Sequence, residues 1–225
     1  MSEHVVLIGA RGWQHNDWIG EFYPDDLPDD WRLGYYGNEY PVVMVPASYL
    51  SADESEYEQW LEESDDSLRM IVEWPAQGAG QQQVAAAQKA VELLAQRVMA
   101  IMIPVESDIT ESDYTIYKEL AASYPVCFDV TLEQRAQLLP WLAEHFANDD
   151  YSVCWRADLN FKQDLEFGTV AITRTFGNIA PKDLRVLLET MIAATNPERH
   201  MVLIVEGEPP SMQLLTNASI ILDLL

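Results

Sequence analysis

The sequence predicts an α/β fold in which eight parallel strands and their connecting helices close into one TIM-barrel-like (β/α)8 barrel, a single domain over residues 1–225. Eight short apolar runs alternate with amphipathic stretches, and such alternation implies right-handed parallel crossovers. The runs lack a regular polar alternation, which is typical of strands covered on both faces. Eight strand–helix units are enough to close a barrel. An open doubly wound sheet is the structural alternative.

The predicted strands are short runs bounded by residues that favour turns. They cover residues 5–8, 42–45, 68–72, 100–103, 126–130, 152–155, 169–173 and 201–205. Gly9 and Gly12 close the first run, and Pro75 and Pro104 end the third and fourth. No low-complexity linker divides the chain, which favours one domain.

Helix-start signals lie between the runs. Seven helices are predicted, from Asp29 or Asp30 through Tyr36, from Ser51 or Asp53 through Leu61, and over 81–98, 110–122, 131–146, 181–191 and 211–225. Residues 81–98 give the strongest signal, since they are rich in Ala, Gln and Leu and contain no breaker. Thr131 and Gln134 match a Thr-x-x-Gln capping box, and Pro181 suits a first helical turn.

The charge balance restricts the classes of partner. Asp and Glu number 37 against 13 Lys and Arg, so the formal net charge is −24. Nucleic-acid binding requires Lys and Arg to displace counterions, and the negative charge therefore argues against nucleic acid and against anionic membranes. Two cysteines exclude a disulfide scaffold. No apolar run approaches the ~18 residues of a membrane helix, and Met1–His4 lacks a basic signal region, so we expect a cytoplasmic protein.

Candidate functional residues follow the predicted strands, because the loops after the strands build the active face of such a barrel. They are Arg11, His15, Ser48, Tyr49, Glu73, Trp74, Glu106, Asp108, Asp129, Arg156, Asp158, Arg174, Asn178, Glu206 and Glu208. Arg11, Arg156 and Arg174 could clamp an anionic group through forked hydrogen bonds. The alternative is that each arginine pairs with a neighbouring acid and only holds the rim together.

Other chemistry receives less support from the sequence. Glu73, Asp129, Glu206 and Glu208 offer oxygen ligands for a hard cation, yet their spacing is not diagnostic, so no metal and no cofactor is predicted. His15 is the one histidine expected at the active face, as a base, a ligand or a solvated loop residue. Cys127 and Cys154 lie inside apolar runs and are interpreted as buried packing thiols.

An aromatic segment follows the first strand. Trp13, Trp18, Phe22, Tyr23 and Trp31 fall within 13–31. A loop of this composition could form a wall on which a ligand stacks, or a plug packed over one end of the barrel. The sequence does not separate these two interpretations.

Several motifs resemble one known family. Residues 9–13 read Gly-Ala-Arg-Gly-Trp where the YecE-like family (domain of unknown function 72) has Gly-Thr-Ser-Gly-Trp, and 18–24 match its Trp-x-Gly-x-Phe-Tyr-Pro segment. Leu33–Tyr36 matches its Leu-x-Tyr-Tyr helix. Residues 174–177 are similar to its Arg-Leu-His-Gly, and 217–218 to its Asn-Ala pair. The resemblance implies a TIM-barrel-like fold with no established activity.

The chain departs from that pattern at polar positions, and it is somewhat short for the family. Val43 and Val45 occupy the Glu and Asn positions of the second strand, and Glu73 replaces a lysine. Phe176 replaces the histidine of Arg-Leu-His-Gly, and Glu206-Gly207 replaces an Asn-Asn pair. The polar site of the family is therefore expected to be partly lost here.

The sequence is compatible with three functions. The first is binding, with or without a reaction, of a small polar or anionic ligand at the C-terminal face of the barrel. The predicted ligand-binding set is Arg11, Trp13, His15, Tyr49, Arg174 and Glu206, with Asp129 and Glu73 as candidate acid or base. The second is a catalytically inactive barrel acting as an interaction or regulatory module for an unknown protein partner, and the third, disfavoured by charge, is a nucleic-acid-processing enzyme. Whether the protein is an enzyme stays undecided.

Overall fold

The fold is an α/β barrel in which every strand ladder is parallel. The structure, a computed structural model, describes residues 6–147, 150–157, 165, 168–177 and 179–225. The strands are β1 (Val6–Arg11), β2 (Val42–Val45), β3 (Arg69–Glu73), β4 (Val98–Val105), β5 (Val126–Val130), β6 (Tyr151–Val153), β7 (Trp155–Arg156), β8 (Val170–Phe176) and β9 (His200–Glu206). All eight apolar runs of the sequence therefore form strands.

The strands form one nearly closed ring, in the order β6-β5-β4-β3-β2-β1-β9-β8-β7. Only Cys154 separates β6 from β7, so residues 151–156 act as one interrupted strand, which we call the seam. Its first part pairs with β5 and its second part pairs with β8. The predicted TIM-barrel-like fold is thus confirmed, with the sixth of eight strands divided in two.

The helices of the described residues each connect two strands, except the last helix, which follows β9. They are α1 (Arg32–Glu39), α2 (Glu54–Glu63), α3 (Gln81–Leu93), α4 (Glu111–Ala121), α5 (Leu132–His145), α6 (Pro181–Ala193) and α7 (Met212–Asp223). Short 3-10 turns cover Asn16–Trp18, Asp29–Trp31 and Ala47–Tyr49. None of the helices in the described part of the chain is both long and apolar enough to cross a membrane.

Side-chain capping explains the starts of three of the seven helices in the described residues. Thr110 begins α4 with a reciprocal capping box to Asp113, and the Oγ of Ser211 accepts the N–H of Leu214 at the start of α7. The Oγ1 of Thr131 accepts the N–H of Gln134 at 3.4 Å, as its motif predicts. These bonds satisfy first-turn N–H groups that have no partner inside the helix.

One predicted boundary is wrong. The sequence predicts a helix over 81–98, but α3 ends at Leu93 and Val98 already pairs with Met70 as the first residue of β4. The N–H of Met70 donates to the carbonyl of Arg97, so ladder bonding begins before the apolar run itself. Strand pairing therefore overrides the local helix propensity of these residues.

Two apolar clusters divide the interior. One contains residues of the strands and of the seam, among them Met44, Ile71, Cys127, Ile172 and Ile204, and fills the inside of the barrel. The other joins the opposite strand faces to the helices and the aromatic segment. Because side chains alternate between the two faces of a strand, the barrel interior is filled by every second strand residue.

Candidate functional site

Six strands change from apolar to charged on the same inward face. Leu7, Ile71, Cys127, Cys154, Ile172 and Ile204 belong to or pack against the inner cluster. Their successors on that face, at strand ends, are Arg11, Glu73, Asp129, Arg156, Arg174 and Glu206. Parallel strands end at one rim, so these six side chains meet at one opening, which we call the mouth.

A chain of buried ion pairs crosses one side of the mouth. Arg156 donates from Nε and Nη2 to the two carboxylate oxygens of Asp129, at 3.0 and 2.7 Å. Arg174 donates from Nη1 to Asp129 and from Nε to Glu206. The side chains of Asp129, Arg174 and Glu206 are all at most 9% exposed. Each ion therefore has a counter-ion inside the barrel, as buried charges require.

A second, more open pair occupies the other side. Arg11 donates from Nε and Nη2 to the carboxylate of Glu73, at 3.3 and 2.6 Å. Oε2 of Glu73 also accepts the N–H of Ala47 at 3.1 Å, which ties β3 to the loop after β2. Nη1 of Arg11 lies 3.6 Å from Oε1 of Glu208, an 83% exposed side chain.

The ion pairs keep the arginines charged. Burial alone would lower the pKa of Arg174, but the carboxylates of Asp129 and Glu206 outweigh it and raise that pKa. Burial likewise opposes the charge of Arg11, and Glu73 raises its pKa. Burial raises the pKa of Glu206 above its usual value, against the opposing effect of Arg174. The mouth thus holds fixed positive charge beside a carboxylate that burial disfavours as an anion.

Phe176 covers the buried end of this network. Its ring centroid lies 5.7 Å from the guanidinium carbon of Arg156 and 5.6 Å from that of Arg174. Half of its surface remains exposed. The aromatic ring that replaces the histidine of the family pattern therefore stacks on the arginines through cation–π contacts.

His15 and Tyr49 stand beside Arg11. Gly12 turns the chain after β1 with a φ of +77°, and an added Cβ there would approach both His15 Nε2 and Tyr49 Oη within 3.2 Å. His15 Nε2 donates to the carbonyl of Arg11 at 3.0 Å. Burial lowers the pKa of His15, so the ring is neutral at pH 7. Burial raises the pKa of Tyr49, which keeps its hydroxyl protonated.

The aromatic segment packs outside the barrel. Trp13 is 1% exposed and meets Tyr49 and Trp60 edge-on, with centroids 5.0 and 4.8 Å away. Trp18 is fully buried and donates from Nε1 to the carbonyl of Pro210, which pins the segment to the loop after β9. Among the predicted ligand contacts, Trp13 therefore lies in the outer apolar layer and does not reach the mouth.

The mouth also differs from the sequence interpretation at other positions. Val43 and Val45 belong to the outer cluster, so they do not fill the mouth. The sequence placed Arg156 at the rim but left it out of the ligand set, although its spacing of two from Cys154 signals the inward face. Asp158 and Asn178 lie outside the described residues.

A metal centre is not assembled at the mouth. Across the described residues, no group of three or more His, Cys, Asp or Glu side chains is arranged to hold an ion. Glu73, Asp129 and Glu206 are each bound by an arginine instead. Their oxygens are committed to guanidinium groups, which agrees with the rim ion-pair alternative.

The comparison with known families agrees with the N-terminal motifs. Residues 7–110 match the model of the family described as Protein of unknown function DUF72. No curated protein matches the chain. The matched range runs from β1 to the residue that caps α4, and it includes Arg11 and Glu73. Over residues 7–110, therefore, the chain is similar to the DUF72 family, which is consistent with a YecE-like protein.

Proposed function

We propose that the barrel binds a small anionic ligand, one carrying a carboxylate or phosphate group, at its mouth, and that it does so in the cytoplasm. The observation that carries the proposal is the convergence of three inward-facing arginines where the strands end. The guanidinium groups of Arg11 and Arg156 still reach solvent, with 27% and 30% of their side chains exposed. The free, buried thiols of Cys127 and Cys154 fit a reducing compartment.

The three arginines have different roles in this proposal. Arg174 is held between two buried carboxylates, so it positions the network rather than touching the ligand. The bonds of Arg156 to Asp129 use Nε and Nη2, and so within the described residues its Nη1 remains available. Among the described residues, Nη1 of Arg11 pairs with the exposed Glu208 alone, at 3.6 Å. In this proposal a planar anion accepts hydrogen bonds from both Arg11 and Arg156.

The carboxylates hold the arginines in place. Asp129 accepts bonds from two guanidinium groups, and Glu73 accepts bonds from Arg11 and from the N–H of Ala47. An oxygen committed to such bonds is a poor general base, because its lone pairs are already engaged. The proposal is accordingly one of binding, without a reaction.

A second candidate function rests on the completeness of the buried pairs. Asp129, Arg174 and Glu206 satisfy one another without any ligand. In this candidate the ion pairs only support the barrel, and the protein acts as an interaction module for another protein. An anion titration separates the two functions.

The test is a calorimetric and thermal-shift titration with inorganic phosphate and with malonate. A ligand at 100 times its Kd adds about 2.7 kcal/mol of stability. Arg156→Gln removes charge-assisted bonds and should weaken anion binding about ten-fold or more. Arg185→Gln is the matched control, because Arg185 pairs with Glu189 on the exposed face of α6. Absence of binding, or equal affinity in both variants, would support the second candidate.

Glu208 provides a test with the opposite sign. Its carboxylate competes with an incoming anion for Arg11, from an exposed position. Glu208→Gln should therefore strengthen phosphate binding by about two- to five-fold, since exposed pairs are weak. Weaker binding in this variant would show that the anion does not use Arg11.

A further inference from the structure

A groove on the outer surface of the protein joins α1 to the end of α2. It measures about 380 Å³ and is lined by Leu27, Trp31, Gly34, Tyr35, Asn38 and Glu63. Trp31 is 61% exposed, an unusual state for so large an apolar side chain. The groove therefore offers an aromatic face to solvent, away from the mouth.

The groove has a rigid base. An added Cβ on Gly34 would lie 2.5 Å from the carbonyl oxygen of Glu63, so the backbone of α1 rests directly on the end of α2. Arg32 binds Asp29 at 2.5 Å and the side chain of Asn16 at 3.1 Å. These contacts fix the 3-10 turn that carries Trp31. The ring is thus presented by an ordered segment.

The groove is set in the most acidic part of the chain. Residues 25–39 and 53–66 contain 13 acidic residues and one arginine. That arginine, Arg32, is buried and already paired. Glu63 uses Oε1 to accept a bond from Gln59 at 2.9 Å, whereas its Oε2 is buried and accepts none from the described residues. Glu63 as a whole is only half-buried and lines the groove, so a turn of its carboxylate would bring this unpartnered oxygen to a cation.

We propose that this groove docks an arginine side chain from a basic segment of a partner protein. The guanidinium group stacks on Trp31, and it donates to Glu63. The aliphatic part of the arginine covers Leu27 and Tyr35. Arginine fits better than lysine because its planar guanidinium stacks on an aromatic face and is less strongly hydrated. The neighbouring acidic residues attract the rest of the basic segment over a longer range.

The proposal does not depend on the function of the mouth. The groove belongs to the outer surface and binds a cation, whereas the mouth is proposed to bind an anion. An acidic surface attracts any polycation, so the experiment must separate docking in the groove from diffuse attraction. Trp31 makes this possible, because its removal changes the groove and leaves the net charge at −24.

The experiment measures binding of fluorescein-labelled Gly-Arg repeat and Gly-Lys repeat hexapeptides by fluorescence anisotropy. We expect the arginine peptide to bind more tightly than the lysine peptide. Trp31→Ala should weaken arginine-peptide binding about two- to five-fold, the share of one exposed cation–π contact. Trp31→Phe should retain most of the affinity, and Glu63→Gln should weaken it. Circular dichroism confirms the fold of each variant.

Val186→Ala is the matched control, because Val186 on α6 is 51% exposed and apolar but lies outside the groove. It should bind the arginine peptide as the unmodified protein does. Equal affinity in Trp31→Ala and Val186→Ala would reduce the attraction to a diffuse charge effect and overturn the proposal. N-acetyl-arginine amide binding as tightly as the peptide would also overturn it, in favour of a small cation.

Discussion

The inner apolar cluster, which we call the floor of the barrel, and the mouth are built on the same strand faces with opposite chemistry. Ile172 and Arg174 are two residues apart on β8, and both point inward; Ile204 and Glu206 repeat the change on β9. The floor is apolar and requires only shape complementarity. The mouth requires each charge to find a partner, because an unpaired buried ion is far more costly than a cavity.

This difference bears on the function proposed for the mouth. Replacing a buried ion pair by apolar groups of similar size is often neutral or stabilising. The floor shows that these strands accept apolar residues on the same face. Stability alone therefore does not account for Asp129, Arg174 and Glu206, and a binding role supplies a reason for their presence.

The largest expected effect comes from breaking the network at its centre. Arg174→Met leaves two buried carboxylates without their shared partner, and it should lower the free energy of unfolding by about 3–5 kcal/mol. Urea denaturation followed by circular dichroism measures this. A loss below about 1 kcal/mol would show that the carboxylates find solvent or other donors.

Removing the whole buried network should have the opposite outcome. The triple variant Asp129→Val, Arg174→Met, Glu206→Leu extends the apolar floor up to the mouth. Its free energy of unfolding should equal that of the unmodified protein or exceed it by about 1–4 kcal/mol. The same variant should bind phosphate more weakly, because Arg156 loses the carboxylate of Asp129 that positions it. A triple variant as unstable as Arg174→Met would assign the network a structural role, as the second candidate function requires.

The floor should respond as an ordinary core. Ile172→Val removes one methylene group from a fully buried position two residues before Arg174. We expect a loss of about 1 kcal/mol in the free energy of unfolding, and unchanged phosphate affinity. Altered affinity would show that floor packing positions the mouth.

The smallest effect concerns pH. Burial lowers the pKa of His15 below its usual value of 6.5. The folded state therefore binds fewer protons than the unfolded state. The contribution of His15 to the free energy of unfolding is present above pH 6.5 and is lost as the pH falls. His15→Gln should show a shallower loss of thermal stability between pH 7.5 and 5 than the unmodified protein. If the thermal stability of His15→Gln and of the unmodified protein fell in parallel with pH, His15 would make no such contribution.

Strand positions could be predicted because a buried strand leaves an apolar run in the sequence. The strand-end rule also placed Arg11, Glu73, Asp129, Arg174 and Glu206 at one rim. The ion-pair partners could not be predicted, since the bond of Arg156 to Asp129 depends on how β7, which pairs with β8, approaches β5 as the ring closes. The position of Trp13 in the outer cluster could not be predicted, because it depends on the turn at Gly12 after β1.

The seam has a consequence for the integrity of the ring. Asp129 belongs to β5, whereas Arg156 and Arg174 belong to β7 and β8, so their bonds span the place where backbone pairing is shortest. These ion pairs therefore hold the two sides of the seam together. An anion bound by Arg156 would contact these ion pairs directly, so ligand binding would be coupled to local opening of the barrel. Slower hydrogen exchange of the Cys154 and Ala157 amides would then accompany saturation.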